Sequence, residues 1–479
     1  MRRTMNKQTP NPGENKHILI ITYVVVGMFV CLMGYFGYFL QVQSETVINN
    51  SYNARLDSFS DRIIRGKIVS NDGRVLAETT VQEDGSEVRT YPYQDLFAHA
   101  VGYSDHGKAG LEALANFYLL SSHMNLADQT MNQLADRKNP GDNVITTLDV
   151  DLQQAAQAAL GDRKGAVVAL EPDTGKILAM VSRPGFDPNT LGQEWEALIS
   201  GDNTQAQLLN RASQGVYPPG STFKIVTALE YMREHPDTWQ EFSFDCDGSY
   251  EHGDYTISCY HGNAHGHQNL TQAFANSCNG AFASLGLEIN LEQMQNLAEH
   301  LLFNGPLPVS IAYSKSSYAM GTGAGDWERL QTAIGQGNTQ MTPLHNALLT
   351  AAIANGGVLM KPYLIDRVET AEGEEVKKFL PATYGELMSA SEAEALSGLM
   401  RQVVTAGTGS AVRTDAYAAA GKTGSAEFEK GKESHAWFTG FAPAEDPKLV
   451  VTVLVEEGGS GGREAAPIAR ALFDLYFSK

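Results

Sequence analysis

The sequence Pro218-Pro219-Gly220 stands directly before a run of residues that is apolar on every side of a helix. Two prolines cannot continue a helix, and glycine accepts backbone conformations that other residues avoid, so the chain must turn here. Between Ser221 and Met232 the apolar residues surround the helix instead of forming one stripe, which predicts a buried helix. We expect this helix to begin at or beside Ser221.

Lys224 is out of place in such a helix, because a buried ammonium group is costly unless it is paired or neutral. Residues three apart share a helix face, so the amine of Lys224 comes within reach of the Ser221 hydroxyl. A desolvated amine is a competent general base, which makes Ser221 a candidate nucleophile. An isolated S-x-x-K pattern more often marks a helix cap with a solvent-exposed lysine, so this interpretation depends on the rest of the chain.

The chain has 479 residues, of which 43% are hydrophobic, so it can bury a large core in about two to four domains. Its formal net charge of −20 argues against a nucleic-acid partner, because like charges repel. Four cysteines are too few for a disulfide scaffold. The sequence contains no internal repeat or low-complexity tract, and no cofactor is expected.

Residues 18–40 are predicted to form a transmembrane helix, because these 23 positions carry no charge and a helix of that length spans a hydrocarbon core of roughly 30 Å. A cleaved signal peptide is the alternative, but the apolar run is long for one. Basic residues dominate the preceding segment: Arg2, Arg3, Lys7 and Lys16. The positive-inside rule therefore predicts a cytoplasmic tail over 1–17 and an extracytoplasmic remainder.

The exported chain divides into two predicted domains. Residues 41–140 are interpreted as a membrane-proximal module of short strands and loops, with a hairpin turn at Asn71-Asp72-Gly73. The polar stretch 128–142 is the best candidate for a linker, and a catalytic domain is expected over 141–479.

The catalytic domain is predicted to be α/β (α+β), with an antiparallel sheet flanked by helices. Strands at both ends of the domain enclose a helical insert, which includes an amphipathic run at 270–287. The predicted helices are 149–160 and a closing helix that runs to about 477, and the predicted strands are 165–170, 176–182, 420–428, 436–441 and 449–455.

Three short motifs occur in order along the chain: Ser221-x-x-Lys224, Ser277-Cys278-Asn279 and Lys422-Thr423-Gly424. This order is the signature of serine β-lactamases and penicillin-binding proteins. The chain resembles the class B (monofunctional) penicillin-binding proteins from about residue 60 to its end. Further segments share the resemblance: Arg65-Gly66-Lys67-Ile68, Ala333-Ile334-Gly335-Gln336-Gly337 and Trp437-Phe438-Thr439-Gly440. Cys278 departs from the pattern, which has aspartate at this position.

The resemblance implies a D,D-transpeptidase in a bacterial cell membrane that forms an acyl-serine intermediate at Ser221. Lys224 would be the base, and Lys422 would help to lower its pKa. Ser277 would relay a proton to the leaving amine, and the amide of Asn279 would bind the substrate backbone.

The third motif is expected to bind the end of the substrate. Thr423 and Lys422 would hold its terminal carboxylate, and Gly424 would let a peptide pair with the strand edge. The family's oxyanion hole corresponds to the backbone N–H groups of Ser221 and Ser425.

The implied partners are peptidoglycan stem peptides and β-lactam antibiotics. The segment before the catalytic domain is too short to add a glycosyltransferase, so a separate glycan polymerase in the membrane, of the polytopic type, is also expected. A β-lactamase or a D,D-carboxypeptidase on the same scaffold is the nearest alternative. A non-catalytic scaffold or β-lactam sensor is the alternative from another class.

A second cluster of cysteine and histidine lies between residues 246 and 267. An oxidising exterior favours a disulfide between Cys246 and Cys259, with free thiols or a metal ion as the alternatives. The candidate zinc ligands are Cys246, Cys259, His265 and His267. Cys278 is interpreted as a packing residue, and no metal is assigned to the chemistry.

Overall fold

The computed structural model describes residues 12–39 and 60–478. Most of the predicted cytoplasmic tail, the last residue of the predicted transmembrane helix and the start of the membrane-proximal module, 41–59, lie outside the described residues. Within the described ranges, one helix is long and apolar enough to cross a membrane, namely Lys16–Tyr38 in the helix Pro12–Tyr38. Its side chains are exposed from Lys16 to Tyr38, so this helix fits the predicted single-pass anchor.

A six-stranded sheet carries strands from both predicted domains. Its order is Glu375–Lys378, Ile365–Glu369, Asn143–Thr146, Ile68–Val69, Val75–Val81 and Glu87–Thr90. The predicted hairpin is confirmed, because Ile68–Val69 pairs antiparallel with Val75–Val81. The helices on this side of the molecule are Ala98–Val101, Gly110–Leu114, Asn116–Leu119 and Leu126–Leu134.

The stretch 128–142 was predicted as a linker, and this prediction is wrong. It contains most of the helix Leu126–Leu134 and the strand Asn139–Pro140, which pairs with Ile63–Ile64. The side chain of Asn125 accepts a hydrogen bond from the N–H of Asp128 and so caps the helix. This cap lies just before the polar stretch and starts a helix in which no residue is buried. Leu126, Met131 and Leu134 are exposed on it.

The catalytic sheet is antiparallel and has five strands, as predicted. Its order is Ala420–Ala426, His435–Ala442, Leu449–Val455, Gly165–Leu170 and Ile177–Arg183. Alternate side chains enter opposite layers, so that Val451 and Val453 lie in one core cluster and Val450 lies in another. Strands from the two ends of the domain therefore complete one sheet.

Helices cover both faces of this sheet. Val150–Leu160 and Ala466–Ser478 pack in the cluster on one face. Lys224–Glu234, Pro343–Ala354 and Ala390–Ala406 pack in the cluster on the other face. The remaining helices of the domain are Leu191–Ile199, Leu270–Ala275, Asn279–Glu288, Leu291–His300 and Asp326–Ala333.

The insert is not only helical. It also contains three antiparallel ribbons, in which Ser243–Cys246 pairs with Gly266–Asn269, Ser249–His252 with Tyr255–Ser258, and Val358–Met360 with Thr383–Glu386. The amphipathic run 270–287 is two helices instead of one, because the chain breaks at Ser277, where φ is +55°. A left-handed residue cannot continue a right-handed helix.

Candidate active site

The serine turn, residues 220–223, leads directly into the helix Lys224–Glu234, as the sequence predicts. Gly220 has a φ of +53°, and a Cβ there would lie 2.9 Å from the Cβ of Ala426. Its N–H donates to the carbonyl of Gly335 at 2.9 Å, and a Cβ at Gly335 would overlap the carbonyl oxygen of Gly220. Glycine is therefore required at both positions to hold Ser221 at the head of the helix.

Lys224 is completely buried and faces the second motif. Its Nζ donates to the carbonyl oxygen of Ser277 at 2.7 Å, to the hydroxyl of Ser277 at 3.3 Å and to Oδ1 of Asn279 at 2.8 Å. The ring of Phe282 lies 5.4 Å from the same nitrogen, within cation–π range. Among the described residues no hydrogen bond joins Lys224 to Ser221; catalytic hydrogen bonds commonly tighten only when substrate binds.

The second motif occupies the break between two helices. Ser277 has left-handed backbone geometry, and Asn279 is the first residue of the helix Asn279–Glu288. The hydroxyl of Ser277 accepts a hydrogen bond from Nζ of Lys422 at 2.9 Å. The amide nitrogen of Asn279 donates to the carbonyl of Ser258 at 2.9 Å. The Ser277 hydroxyl therefore lies between the amines of both motif lysines.

Burial is the main electrostatic influence on the two lysines. Desolvation lowers the pKa of Lys224 to about 7, against the opposing influence of the Cys278 and Cys259 sulfurs. Desolvation also lowers the pKa of Lys422 well below its ordinary value, and the charge of Lys224 adds to this effect. Burial is therefore the main cause of the lowered pKa of Lys224. The expected contribution of Lys422 to that lowering stays a prediction.

The third-motif strand, Ala420–Ala426, is an edge strand that packs on the serine turn. Nε1 of Trp437 donates to the carbonyl of Pro218 at 3.0 Å. A Cβ at Gly424 would lie 3.1 Å from the Cβ of Trp437 and 3.2 Å from the carbonyl oxygen of Pro219. A side chain at Gly424 would therefore fit tightly against the protein, and the close approach of substrate at this position stays a prediction.

Two polar residues outside the motifs support the site. Oγ1 of Thr408 hydrogen-bonds Oγ1 of Thr423 at 2.5 Å, and the carbonyl of Ser258 holds Asn279 as described above. Neither was predicted. The Gly407-Thr408-Gly409 sequence signals a turn, but its contact with the third motif joins residues 15 positions apart.

The three motifs meet in one cleft of about 1040 Å³. The predicted site residues that line it are Ser221, Ser277, Asn279, Thr423, Gly424 and Ser425. Lys224 and Lys422 lie fully buried behind this surface. The cleft thus presents a serine hydroxyl on one side, an amide on another and a strand edge along its length.

The cysteines next to the cleft are free thiols. Sγ of Cys259 lies 3.7 Å from Sγ of Cys246 and also 3.7 Å from Sγ of Cys278, and Nδ1 of His265 lies 3.3 Å from Sγ of Cys246. The favoured Cys246–Cys259 disulfide is therefore absent from this structure. His267 is exposed and pairs with a surface carboxylate instead, whereas Cys278, interpreted as packing, belongs to the cluster.

The antiparallel sheet, the serine helix and the three converging motifs define the serine penicillin-recognising class of enzymes. Residues 165–474 match the penicillin binding protein transpeptidase domain, and residues 65–144 match the penicillin binding protein A dimerisation domain. The chain therefore belongs to the penicillin-binding protein transpeptidase family. This confirms the predicted fold and the resemblance to class B members.

Three individual relatives are similar to this chain over most of its length and most of their own. The chain is 34% identical to the peptidoglycan D,D-transpeptidase PbpA of Mycolicibacterium smegmatis, over 87% of this chain and 89% of that protein. It is 34% identical, with a TM-score of 0.78, to a D,D-transpeptidase domain from Eggerthella lenta, covering 87% of this chain and 99% of that one. The imipenem acyl-enzyme complex of penicillin-binding protein A from M. tuberculosis is 31% identical, with a TM-score of 0.79 and coverage of 88% and 99%.

Proposed function

We propose that this protein is a membrane-anchored peptidoglycan D,D-transpeptidase that works through an acyl-Ser221 intermediate and is acylated by β-lactams. The observation that carries the proposal is the convergence of three motifs in one cleft, where Ser277 lies between the buried amines of Lys224 and Lys422. The relatives support it, since one is named a D,D-transpeptidase and another forms an acyl-enzyme with imipenem.

In the first half-reaction, Ser221 Oγ attacks the penultimate D-Ala carbonyl of a stem peptide. Lys224 in its neutral form takes the hydroxyl proton. The C–N bond to the terminal D-Ala then breaks, and that amine leaves with a proton passed through Ser277. The lysine–serine–lysine array, with distances of 3.3 and 2.9 Å, supports this relay.

In the second half-reaction, an amine of a neighbouring stem attacks the acyl-serine and forms the new amide bond. The ester bond to Ser221 Oγ breaks, and the proton lost by the amine returns to that oxygen. The backbone N–H groups of Ser221 and Ser425 would stabilise the oxyanion in both steps. Both residues line the cleft, which supports this role. Thr423 and Lys422 would bind the terminal carboxylate, and Asn279 the peptide backbone.

The edge position of Ala420–Ala426 supports substrate binding by strand addition. This strand pairs with His435–Ala442 on one side, and its residues Thr423, Gly424 and Ser425 line the cleft. An extended stem peptide could therefore continue the sheet through main-chain hydrogen bonds. The packing of Gly424 against Trp437 and Pro219 would keep the strand in place during binding.

The membrane topology and the partner enzyme belong to the same proposal. The apolar helix Pro12–Tyr38 and the basic residues before it support a cytoplasmic N-terminus with the cleft outside the cell. The two matched domains are a transpeptidase domain and a dimerisation domain, and we propose that a separate polytopic membrane protein supplies the glycan polymerase. The membrane-proximal module over 41–140 would carry the catalytic domain, 141–479, above the membrane.

Covalent labelling tests the proposal. Fluorescent penicillin should label the wild-type chain and a Ser391→Ala control, in which an exposed serine is changed, but not Ser221→Ala. Intact mass should show one penicilloyl adduct that persists during a long incubation. Labelling of Ser221→Ala at the wild-type rate would overturn the assignment, and rapid loss of the adduct would indicate a β-lactamase.

Transpeptidation itself needs a second measurement. The chain should convert a pentapeptide stem and an acceptor amine into a cross-linked product with release of D-Ala. Release of D-Ala without cross-linked product in the presence of acceptor would indicate a D,D-carboxypeptidase. If a Ser221→Ala gene supported growth and wall cross-linking fully, the scaffold interpretation would replace the enzymatic one.

A further inference from the structure

Four side chains from separate segments meet beside the second motif. Cys246 ends the strand Ser243–Cys246, Cys259 follows Tyr255–Ser258, and His265 precedes Gly266–Asn269. Cys278 caps the helix Asn279–Glu288. The three sulfurs and the histidine ring nitrogen all lie within 4.8 Å of one another.

Three of the six separations among these ligand atoms lie close to those of a tetrahedral metal site. Zinc bonds of about 2.3 Å to sulfur and about 2.0 Å to nitrogen place tetrahedral ligand atoms roughly 3.5–3.8 Å apart. The two sulfur–sulfur distances that involve Cys259 are both 3.7 Å, and Nδ1 of His265 lies 3.3 Å from Sγ of Cys246. A disulfide would need about 2.05 Å between two sulfurs and would leave the third thiol unpaired.

We propose that Cys246, Cys259, Cys278 and His265 bind one Zn²⁺ that holds the second catalytic motif in place. All four positions are protein ligands, which is typical of a structural site rather than a catalytic one. Three thiols lose their protons on binding and zinc keeps its +2 charge, so the complex carries a net charge of −1. No oxidation or reduction is involved.

The surrounding chain has little else to stabilise it. From residue 243 to 269 only five residues are buried: Cys246, Gly248, Ile257, Cys259 and Gln268. Two-stranded ribbons are marginally stable alone in water, and small units with few apolar residues commonly rely on a metal. Two of the five buried residues are cysteines of the cluster, so zinc would supply much of the core of this segment.

The proposed zinc site connects the segment 243–269 to the second catalytic motif. Cys278 stands between Ser277 and Asn279, which together accept three hydrogen bonds from Lys224. Ser277 also has a φ of +55°, a strained conformation for a non-glycine residue that persists only where its surroundings hold it. Coordination of Cys278 would fix the backbone on both sides of it. This consequence for acylation rests on the proposed function, whereas metal binding does not.

Zinc also has a route to the site. Cys259 and His265 line the same cleft as Ser221, and His265 is only half-buried. Cys246 and Cys278 are buried behind them. Metal could therefore enter from the cleft and be removed by a small chelator without unfolding the domain.

Metal content tests the binding site directly. The full chain, purified in detergent under reducing conditions, should contain one zinc per chain by elemental mass spectrometry. Cys246→Ser and His265→Ala should lose most of it, whereas Cys31→Ser and His267→Ala should keep it. Stripped protein should regain one equivalent from added ZnCl₂, and added CoCl₂ should give the absorption of a tetrahedral thiolate complex. A chain that takes up neither metal, that binds iron or copper instead, or that loses zinc equally in His267→Ala would overturn the proposal.

The link to catalysis needs its own measurement. Chelation should slow acylation by fluorescent penicillin at least about tenfold, and added ZnCl₂ should restore it. Unchanged acylation by the stripped chain would overturn the positioning role. A chain that binds zinc but is never acylated by penicillin would instead overturn the proposed function and leave the metal site standing.

Discussion

The hydroxyl of Ser277 accepts a hydrogen bond from Nζ of Lys422 at 2.9 Å. The same hydroxyl lies 3.3 Å from Nζ of Lys224, so one oxygen connects two buried amines. A hydroxyl both donates and accepts protons, whereas each amine alone is too enclosed to exchange protons with water. This arrangement makes Ser277 the connection through which a proton would leave Lys224.

Ser277→Ala should lower the second-order rate constant for acylation by about 100- to 10,000-fold, the range for losing a general acid–base group. The decrease should appear with both penicillin and a stem pentapeptide, measured by fluorescent labelling and by D-Ala release. Ser284→Ala is the control. The Ser284 hydroxyl donates to the carbonyl of Ala281 within the helix Asn279–Glu288 and lies outside the motif. Zinc content and thermal stability should stay unchanged in both variants. A decrease of less than about twofold in Ser277→Ala would contradict the relay.

The lowered pKa of Lys224 predicts the pH dependence of acylation. Lys224 acts as a base only in its neutral form, and desolvation lowers its pKa to about 7. The acylation rate constant should therefore rise about tenfold per pH unit below pH 7 and level off above pH 8. Lys224→Arg is the matched test, because a guanidinium stays charged throughout this pH range. It should acylate slowly at every pH; a parallel rise with pH in this variant would show that another group titrates.

The contact between Gly335 and Gly220 predicts a sensitive position that does not itself line the cleft. Gly335 has a φ of +75°, and a Cβ there would overlap the carbonyl of Gly220. Gly335→Ala should displace the serine turn and lower the acylation rate constant about 100-fold, the effect of misplacing a reacting group by roughly 1 Å. Gly323→Ala is the control, since a Cβ there has open space and its backbone is unstrained. Equal rates in the two variants would show that the turn tolerates the shift.

Local sequence signals predicted most helices and strands of the catalytic domain. The features that they did not predict depend on contacts between distant residues. The strand Leu449–Val455 and the helix Val150–Leu160 follow from apolar patterning and a capping aspartate, and both were predicted. The partner of Cys278 lies 19 residues away at Cys259, and the glycine that supports Gly220 is Gly335. No local pattern encodes which distant segments meet, so these relationships required the three-dimensional structure.

The membrane-proximal part contains a buried ion triad that also joins distant segments. The carboxylate of Glu112 is fully buried and contacts Nε of Arg65 at 2.6 Å and Nε of Arg89 at 2.8 Å. Burial would raise the pKa of Glu112, but the two guanidinium charges outweigh burial, and its pKa lies below the ordinary value. The stabilisation from this carboxylate is therefore complete above pH 4.5 and is lost as the pH falls through the lowered pKa.

Glu112→Gln should destabilise this part of the molecule by about 3–5 kcal/mol, because it leaves two buried guanidinium groups without a counter-charge. Amide hydrogen exchange in Gly110–Leu114 should then accelerate more than about 100-fold at pH 7, measured by mass spectrometry on the full chain. Glu78→Gln is the matched control. Its carboxylate lies 3.0 Å from Nζ of Lys67, but both side chains are partly exposed, so the change should cost less than about 1 kcal/mol. Penicillin acylation should be retained in both variants, since the triad lies outside the cleft. Equal exchange rates in the two variants would show that the triad only replaces hydration and adds no stability.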